Sequence, residues 1–257
     1  MDLGISGQAA LLLGSTQGLG LACARALAQE GVRVAVNGRD PARTQAVAAD
    51  LGGVGIAGDV GDPEQRARIV AEARAALGPI TILVTNAGGP PPGPIEGHDH
   101  ATWIKALETN MLAALECVRL TLPDMKEAGF GRIVNVTSFT VREPYPNMGL
   151  ATGVRAGLTG AMKSLSHEIA PLGITVNNLL PGLMDTGALE RVYKAQSKMH
   201  GISEDEAKGR MADSVPMKRL GTAEDFGPVC AFLCSRFAGY VTGQNITVDG
   251  GLVRSLT

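Results

Sequence analysis

Apolar residues run along this chain in short unbroken blocks, separated by alanine-rich stretches with helical spacing. The first block covers residues 9–13, ends at Gly14, and is followed by a helical pattern through Glu30. Later blocks at 33–38, 54–57, 80–85, 132–137, 175–180 and 246–248 read as further strands. Helical patterns fill 41–51, 63–77, 101–128, 151–170 and 222–234, and Pro63 suits a first helical position. Strands that alternate with helices imply parallel pairing and right-handed crossovers, hence an α/β fold. The stretch 89–97, GPPPGPIEG, carries too much proline and glycine for either element and must be loop. Residues 187–215 are helical in pattern and charged, with a poor core stripe, as expected of a mobile substrate lid. No repeat or linker interrupts the pattern. The 257 residues fit one domain, 1–257.

The stretch 9–20, AALLLGSTQGLG, adds candidate chemistry. A buried strand, a tight turn built on Gly14, Gly18 and Gly20, and a helix start bring backbone N–H groups and the positive helix end together. That arrangement suits a pyrophosphate. Ser15, Thr16, Gln17 and Leu19 complete the loop.

Charge narrows the classes. The formal net charge is −2, with no basic run for nucleic acid and no span of membrane length. Four cysteines, Cys23, Cys117, Cys230 and Cys234, sit in apolar helical contexts without metal-type spacing. The N-terminal MDLGISGQ has no secretory character. A reduced, cytoplasmic protein is the expectation.

Several pieces in order, Gly14-x-x-x-Gly18-x-Gly20, Asp59-Val60, Asn86-Ala87-Gly88, Asn110, Ser138, Pro181-Gly182 with Thr186, and Val248-Asp249-Gly250-Gly251, resemble the short-chain dehydrogenase/reductase family over nearly the full length. The resemblance implies a three-layer Rossmann fold, a seven-stranded parallel sheet with helices on both faces, a bound nicotinamide dinucleotide and a homotetramer. It implies that the glycines line the pyrophosphate. Asp59 and Val60 would then hold the adenine, Asn86, Ala87 and Gly88 pass the adenosine ribose, and Thr186 meet the carboxamide near Pro181 and Gly182. A structural reading stays open for several: Asp59 as a helix cap, Asn86 as a bridge between strands, Asp249 as the close of a turn.

A dinucleotide fold that prefers NAD places an acid at the end of its second strand. Here that place reads Asn37-Gly38-Arg39. Arg39 suits a 2′-phosphate, so NADP is expected ahead of NAD, with Asn37 beside it. The alternative has Arg39 solvated and paired with Asp40.

The resemblance breaks at the catalytic centre. The family uses a Ser, a Tyr and a Lys, with an Asn holding a water, and its Tyr stands four residues before its Lys. Here Ala151 occupies the Tyr place and Arg155 the Lys place. A divergent subgroup resembling β-ketoacyl carrier-protein reductases shares this loss. Arg155 keeps a positive charge but cannot serve as acid or base. Ser138, Asn110, Arg155 and Tyr145 are the candidate catalytic set, with Arg142 placed to ease ionisation of Tyr145. Tyr145 as a surface contact, and His98, His100 or Tyr193 as substitutes, are the competing readings.

Two functions stay open. One is an NADP(H)-dependent oxidoreductase acting on a small carbonyl or secondary alcohol. The other is a cofactor-binding protein without redox chemistry: a sensor, a scaffold or a lyase. Alanine- and glycine-rich helices 101–128 and 151–170 suit pairing with symmetry mates.

Overall fold

The apolar blocks become the middle of the molecule because an unbroken apolar strand must be covered on both faces. The computed structural model describes residues 2–256, without the side chains of Ala195 and Gln196. Strands β1 (Ala9–Leu12), β2 (Arg33–Gly38), β3 (Val54–Ala57), β4 (Ile82–Thr85), β5 (Gly131–Val136), β6 (Ile174–Pro181) and β7 (Asn245–Val248) form one sheet in the order β3-β2-β1-β4-β5-β6-β7. Every pairing is parallel.

Helices α1 (Gly18–Gln29), α2 (Pro41–Asp50) and α9 (Ala223–Cys234) cover one face. They pack Cys23, Leu27, Ala48, Phe226 and Cys230 against Leu12, Val36 and Val84. Helices α3 (Pro63–Leu77), α5 (Ala113–Ala128) and α6 (Gly149–Ile169) cover the other, where Ile69, Val118 and Met162 meet Leu11, Leu83 and Ile133. All four cysteines are buried free thiols, and burial pushes the Cys117 thiol up to about 12. Among the described residues no helix is long and apolar enough to cross a membrane.

The expected helix 101–128 is not continuous. It divides into α4 (His100–Leu107), a π-helical turn (Glu108–Leu112) and α5. The apolar spacing persists on both sides of the turn, so the sequence pattern does not flag the extra residue. The lid region resolves into α7 (Gly187–His200) and α8 (Glu204–Ser214), divided at Gly201, whose φ of +65° suits glycine.

Candidate active site

Parallel strands deliver their C-terminal ends to one edge, and the strand order reverses between β1 and β4, so a crevice opens there. The glycine loop forms its floor. Gly14 and Gly18 have φ of +53° and +55°. A Cβ on Gly20 would lie 2.4 Å from the Gly14 carbonyl oxygen, so α1 can back onto the loop only through glycine. The outer side is open. Nothing lies within 4 Å of a Cβ on Gly88, and beside Gly18 only Thr186 carbons approach, at 3.9 Å. The first turn of α1 carries no acid, so its free N–H groups and positive end are available to an anion.

The side chains of two residues expected to meet the cofactor turn inward. Ser15 is buried, donates to Leu12 O at 2.7 Å and accepts from Asn37 N at 3.1 Å. Asn37 is also buried. Its amide donates to Ile56 O (3.0 Å) and Gly58 O (3.1 Å) and accepts from Gly14 N (3.3 Å). Both side chains therefore shape the trough from beneath, because their polar atoms are engaged inside the protein. Leu19 packs into the core. Thr16 stands against Gly38, where a Cβ would lie 2.4 Å from its Cγ2.

At the end of β2, Arg39 is exposed and Asp40 does not pair with it. The Asp40 carboxylate instead caps α2 by accepting from Arg43 N at 3.1 Å. Sequence reasoning missed Arg43. Its guanidinium donates to Gln17 Oε1 of the glycine loop at 2.7 Å. The available signal was its place in the first turn of α2, since helical side chains lean toward the N-terminus. Neither arginine has a carboxylate partner among the described residues.

Several motif residues have structural partners. Asn86 Nδ2 donates to Gly14 O at 2.8 Å and bridges the ends of β4 and β1. Asp59 accepts from Gly61 N at 2.8 Å, and Val60 is buried. Gly182 N donates to Val248 O at 2.9 Å. Asp249 closes a turn by accepting from Gly251 N (3.0 Å) and Val253 N (2.8 Å).

At the catalytic end, Ser138 caps a 3-10 turn after β5. Its Oγ accepts from Thr140 N (3.2 Å) and Thr140 Oγ1 (3.0 Å). With both lone pairs occupied, the remaining capacity of Ser138 is to donate its O–H. Thr85, Asn86, Ala87, Thr109, Asn110 and Arg155 line one pocket. The Arg155 guanidinium reaches toward Gly89, where a Cβ would stand 3.4 Å from Nη2. It has no hydrogen-bond or carboxylate partner among the described residues. Burial alone pulls it down to about 10, so it is a cation at neutral pH. Ala151, one helical turn earlier on α6, is buried and offers only a methyl group.

The proposed substitutes for a phenol are less favourably placed. Tyr145 is exposed and meets the Phe139 ring edge-on, with centroids 6.0 Å apart. Arg142 donates to Thr247 Oγ1 at 3.3 Å, which corrects the expectation that it assists Tyr145. His98 is half-buried beside Gly93, with Nε2 unpartnered, and Asp99 caps the helix that begins at His100. Among the described residues no three His, Cys, Asp or Glu side chains gather as a metal site.

Comparison with known proteins agrees with this geometry. The family described as enoyl-(acyl carrier protein) reductase matches residues 14–253. The NADPH-dependent reductase BacG of Bacillus subtilis is 30% identical over 98% of this chain and 100% of its own length. Dehydrogenase/reductase SDR family member 4 of Sus scrofa is 34% identical over 98% of this chain and 89% of its own. The solved L-sorbose reductase of Gluconobacter frateurii, complexed with NADPH and L-sorbose, superposes with a TM-score of 0.95 at 32% identity, covering 100% of both chains. With the glycine trough at the switch point, a matched family region and full-length relatives, the chain belongs to the short-chain dehydrogenase/reductase family.

Proposed function

We propose that this chain is an NADP(H)-dependent oxidoreductase that interconverts a small carbonyl compound and its secondary alcohol, using an atypical catalytic centre. The observation that carries the cofactor choice is the pair Arg39 and Arg43, neither with a carboxylate partner among the described residues, near the strand end where an NAD site would place a carboxylate. The relatives' own descriptions as NADPH-dependent, or as complexed with NADPH, support the same choice. The trough fits the group. Its open face beside Gly18 and Gly88, its acid-free helix start and the lone Arg155 cation all await an anionic, hydroxyl-rich partner.

The loop of Gly14 to Gly20 and the start of α1 hold the pyrophosphate. Arg39 and Arg43 hold the 2′-phosphate, Asp59 and Val60 the adenine, and Asn86 to Gly88 pass the adenosine ribose. Thr186, with Pro181 and Gly182, meets the carboxamide. When bound, the nicotinamide supplies or accepts the hydride. Ser138 donates its oriented O–H to the substrate oxygen, Arg155 holds ribose hydroxyls and adds positive potential, and Asn110 orders a water. Ala151 and Arg155 place the chain in the divergent subgroup without the family's Tyr and Lys. Proton donors are then Ser138 itself and Tyr145, the latter after movement of its loop. Residues 187–215 act as a mobile lid over the substrate. The assembly is a homotetramer built on α5 and α6, and the buried free thiols suit the cytoplasm.

Purified protein should oxidise NADPH faster than NADH across a panel of ketones, ketoacids and keto-sugars. If calorimetry shows cofactor binding while no member of the panel turns over, the reading gives way to a non-redox sensor, scaffold or lyase, which Ala151 favours. Separately, Arg39→Ala and Arg43→Ala should each weaken NADPH binding by about 10- to 100-fold, as for a lost charge-assisted bond, and leave NADH within about 3-fold. An unchanged NADPH/NADH ratio would remove the pair from this role.

A further inference from the structure

The π-helical turn that carries Asn110 is held from an unexpected side. Its pattern is an i to i−5 bond, Ala113 N donating to Glu108 O, and one residue is added to the helix there. Asn110 is buried at its centre, with Nδ2 donating to Ala106 O at 3.3 Å. Such a turn is uncommon and less favourable than α-helix, so something must hold it. Two contacts do so: one from Arg66 of α3, which is bonded to the turn after β3 that contains Asp59, Val60 and Gly61, and one from that turn itself.

The first contact is Arg66, buried at 3% exposure on α3. Its Nε donates to Val60 O at 2.6 Å and its Nη2 to Gly61 O at 3.2 Å. The same Nη2 ion-pairs with the Glu108 carboxylate, the first residue of the π turn. The rigid guanidinium fork thus joins two backbone carbonyls of one loop to a side chain of the other, which a lysine ammonium cannot reproduce. The second contact is steric. A Cβ on Gly61 would come within 3.0 Å of Thr109 Oγ1, so the loop lies flat on the residue next to Asn110. The loop is itself braced: Asp59 N donates to Gln65 Oε1 at 2.9 Å, and Asp59 accepts from Gly61 N.

We propose that Arg66 and Glu108 are positioning residues that couple the adenosine end of the cleft to Asn110 at its reactive end. Rigidifying the 59–61 loop fixes the two carbonyls on Arg66, Arg66 fixes Glu108, and Glu108 and Thr109 set the turn. The inference rests on the nucleotide-binding function proposed above, because it takes the 59–61 loop as the adenine contact. Neither residue touches the substrate. Binding at one end of a ligand can in this way supply order at the other.

The test uses 2′,5′-ADP, which occupies only the adenosine end. In hydrogen exchange followed by mass spectrometry, 2′,5′-ADP should slow exchange of amides 108–113 in the wild-type protein by about 10-fold, within the range of ordinary coupling. In Glu108→Gln, which keeps shape and removes charge, the slowing should fall below about 2-fold while calorimetry still reports 2′,5′-ADP binding. Arg66→Lys should behave the same way, and far-ultraviolet circular dichroism checks that each variant is folded. As a second readout, 2′,5′-ADP should raise turnover of reduced nicotinamide mononucleotide about 10-fold in the wild type and less than 2-fold in the variants. If 2′,5′-ADP binds the wild-type protein and exchange at 108–113 is unchanged, the coupling is refuted whatever the variants do. If 2′,5′-ADP does not bind at all, the nucleotide-binding function itself fails and takes the coupling with it.

Discussion

Replacing Arg155 with methionine should lower kcat/KM for NADPH-dependent reduction by about 10²- to 10³-fold and leave the protein at least as stable as before. The two halves of this expectation have one cause. The Arg155 cation sits in the pocket beside Asn86 and Asn110 with no carboxylate or hydrogen-bond partner among the described residues, and burial depresses its pKa to about 10. A desolvated, unpaired charge costs folding free energy, so its removal orphans nothing. A protein keeps such a group when function requires it. Steady-state kinetics and thermal unfolding of the same sample check both halves. The sign of the pH dependence follows as well. Because burial lowers the value, the cation is present below pH 10 and lost above it, so wild-type kcat/KM should hold level to about pH 9 and fall through about 10. Arg155→Lys should stand between wild type and methionine, since it keeps charge without the fork. A methionine variant with full activity would leave Arg155 no role at the reactive end.

Asn135→Ala should destabilise the fold by about 3–4 kcal/mol in urea titration. A polar ladder crosses four strands at aligned register positions: Thr85 opposite Asn135, Asn135 opposite Asn178, and Asn178 opposite Asn245. Thr85 Oγ1 donates to Asn135 Oδ1 at 2.7 Å, Asn135 Nδ2 to Asn178 Oδ1 at 3.0 Å, and Asn178 Nδ2 to Asn245 Oδ1 at 2.9 Å. All the donors run one way, so the bonds polarise each other. Asn135 is fully buried, and its loss strands a donor on Thr85 and an acceptor on Asn178, each worth about 1–3 kcal/mol, and leaves a small cavity. Asn245→Ala, at the half-buried end of the ladder, should cost about 1 kcal/mol because water reaches the orphaned Asn178 amide. Equal effects at the two positions would argue against a buried, directional ladder. Because Thr85 precedes Asn86 and lines the pocket, the asparagine ladder also steadies the end of β4, where the glycine loop is clamped.

Most of the architecture was legible from local pattern. Apolar blocks of strand length, alanine-rich helical spacing and Gly14, Gly18 and Gly20 gave seven parallel strands and the place of the trough. Those signals depend only on which neighbours a residue has in sequence. The expected site residues fared unevenly. Asn110, Asn86, Ala87 and Arg155 do line one pocket, whereas Ser15 and Asn37 turn inward, and Arg142 reaches β7 instead of Tyr145. Period and composition say which residues reach the strand ends but not which way a polar side chain then turns. That is decided by the nearest unpaired carbonyl or amide, which usually belongs to a distant segment.

The amino-acid order alone determined the alternation of strands and helices, the glycine cradle, and the presence of Ala151 and Arg155 one turn apart in a helical stretch, because each is written in residues close together in the chain. Tertiary structure alone decided that Arg43 of α2 reaches Gln17 of the glycine loop and that the turn bearing Asn110 is braced by Arg66. Each of the longer-range cases depends on a contact between segments 26 to 42 residues apart. Such contacts exist only once the sheet has brought the strand ends side by side, where burial leaves a polar group no partner but the one packed against it.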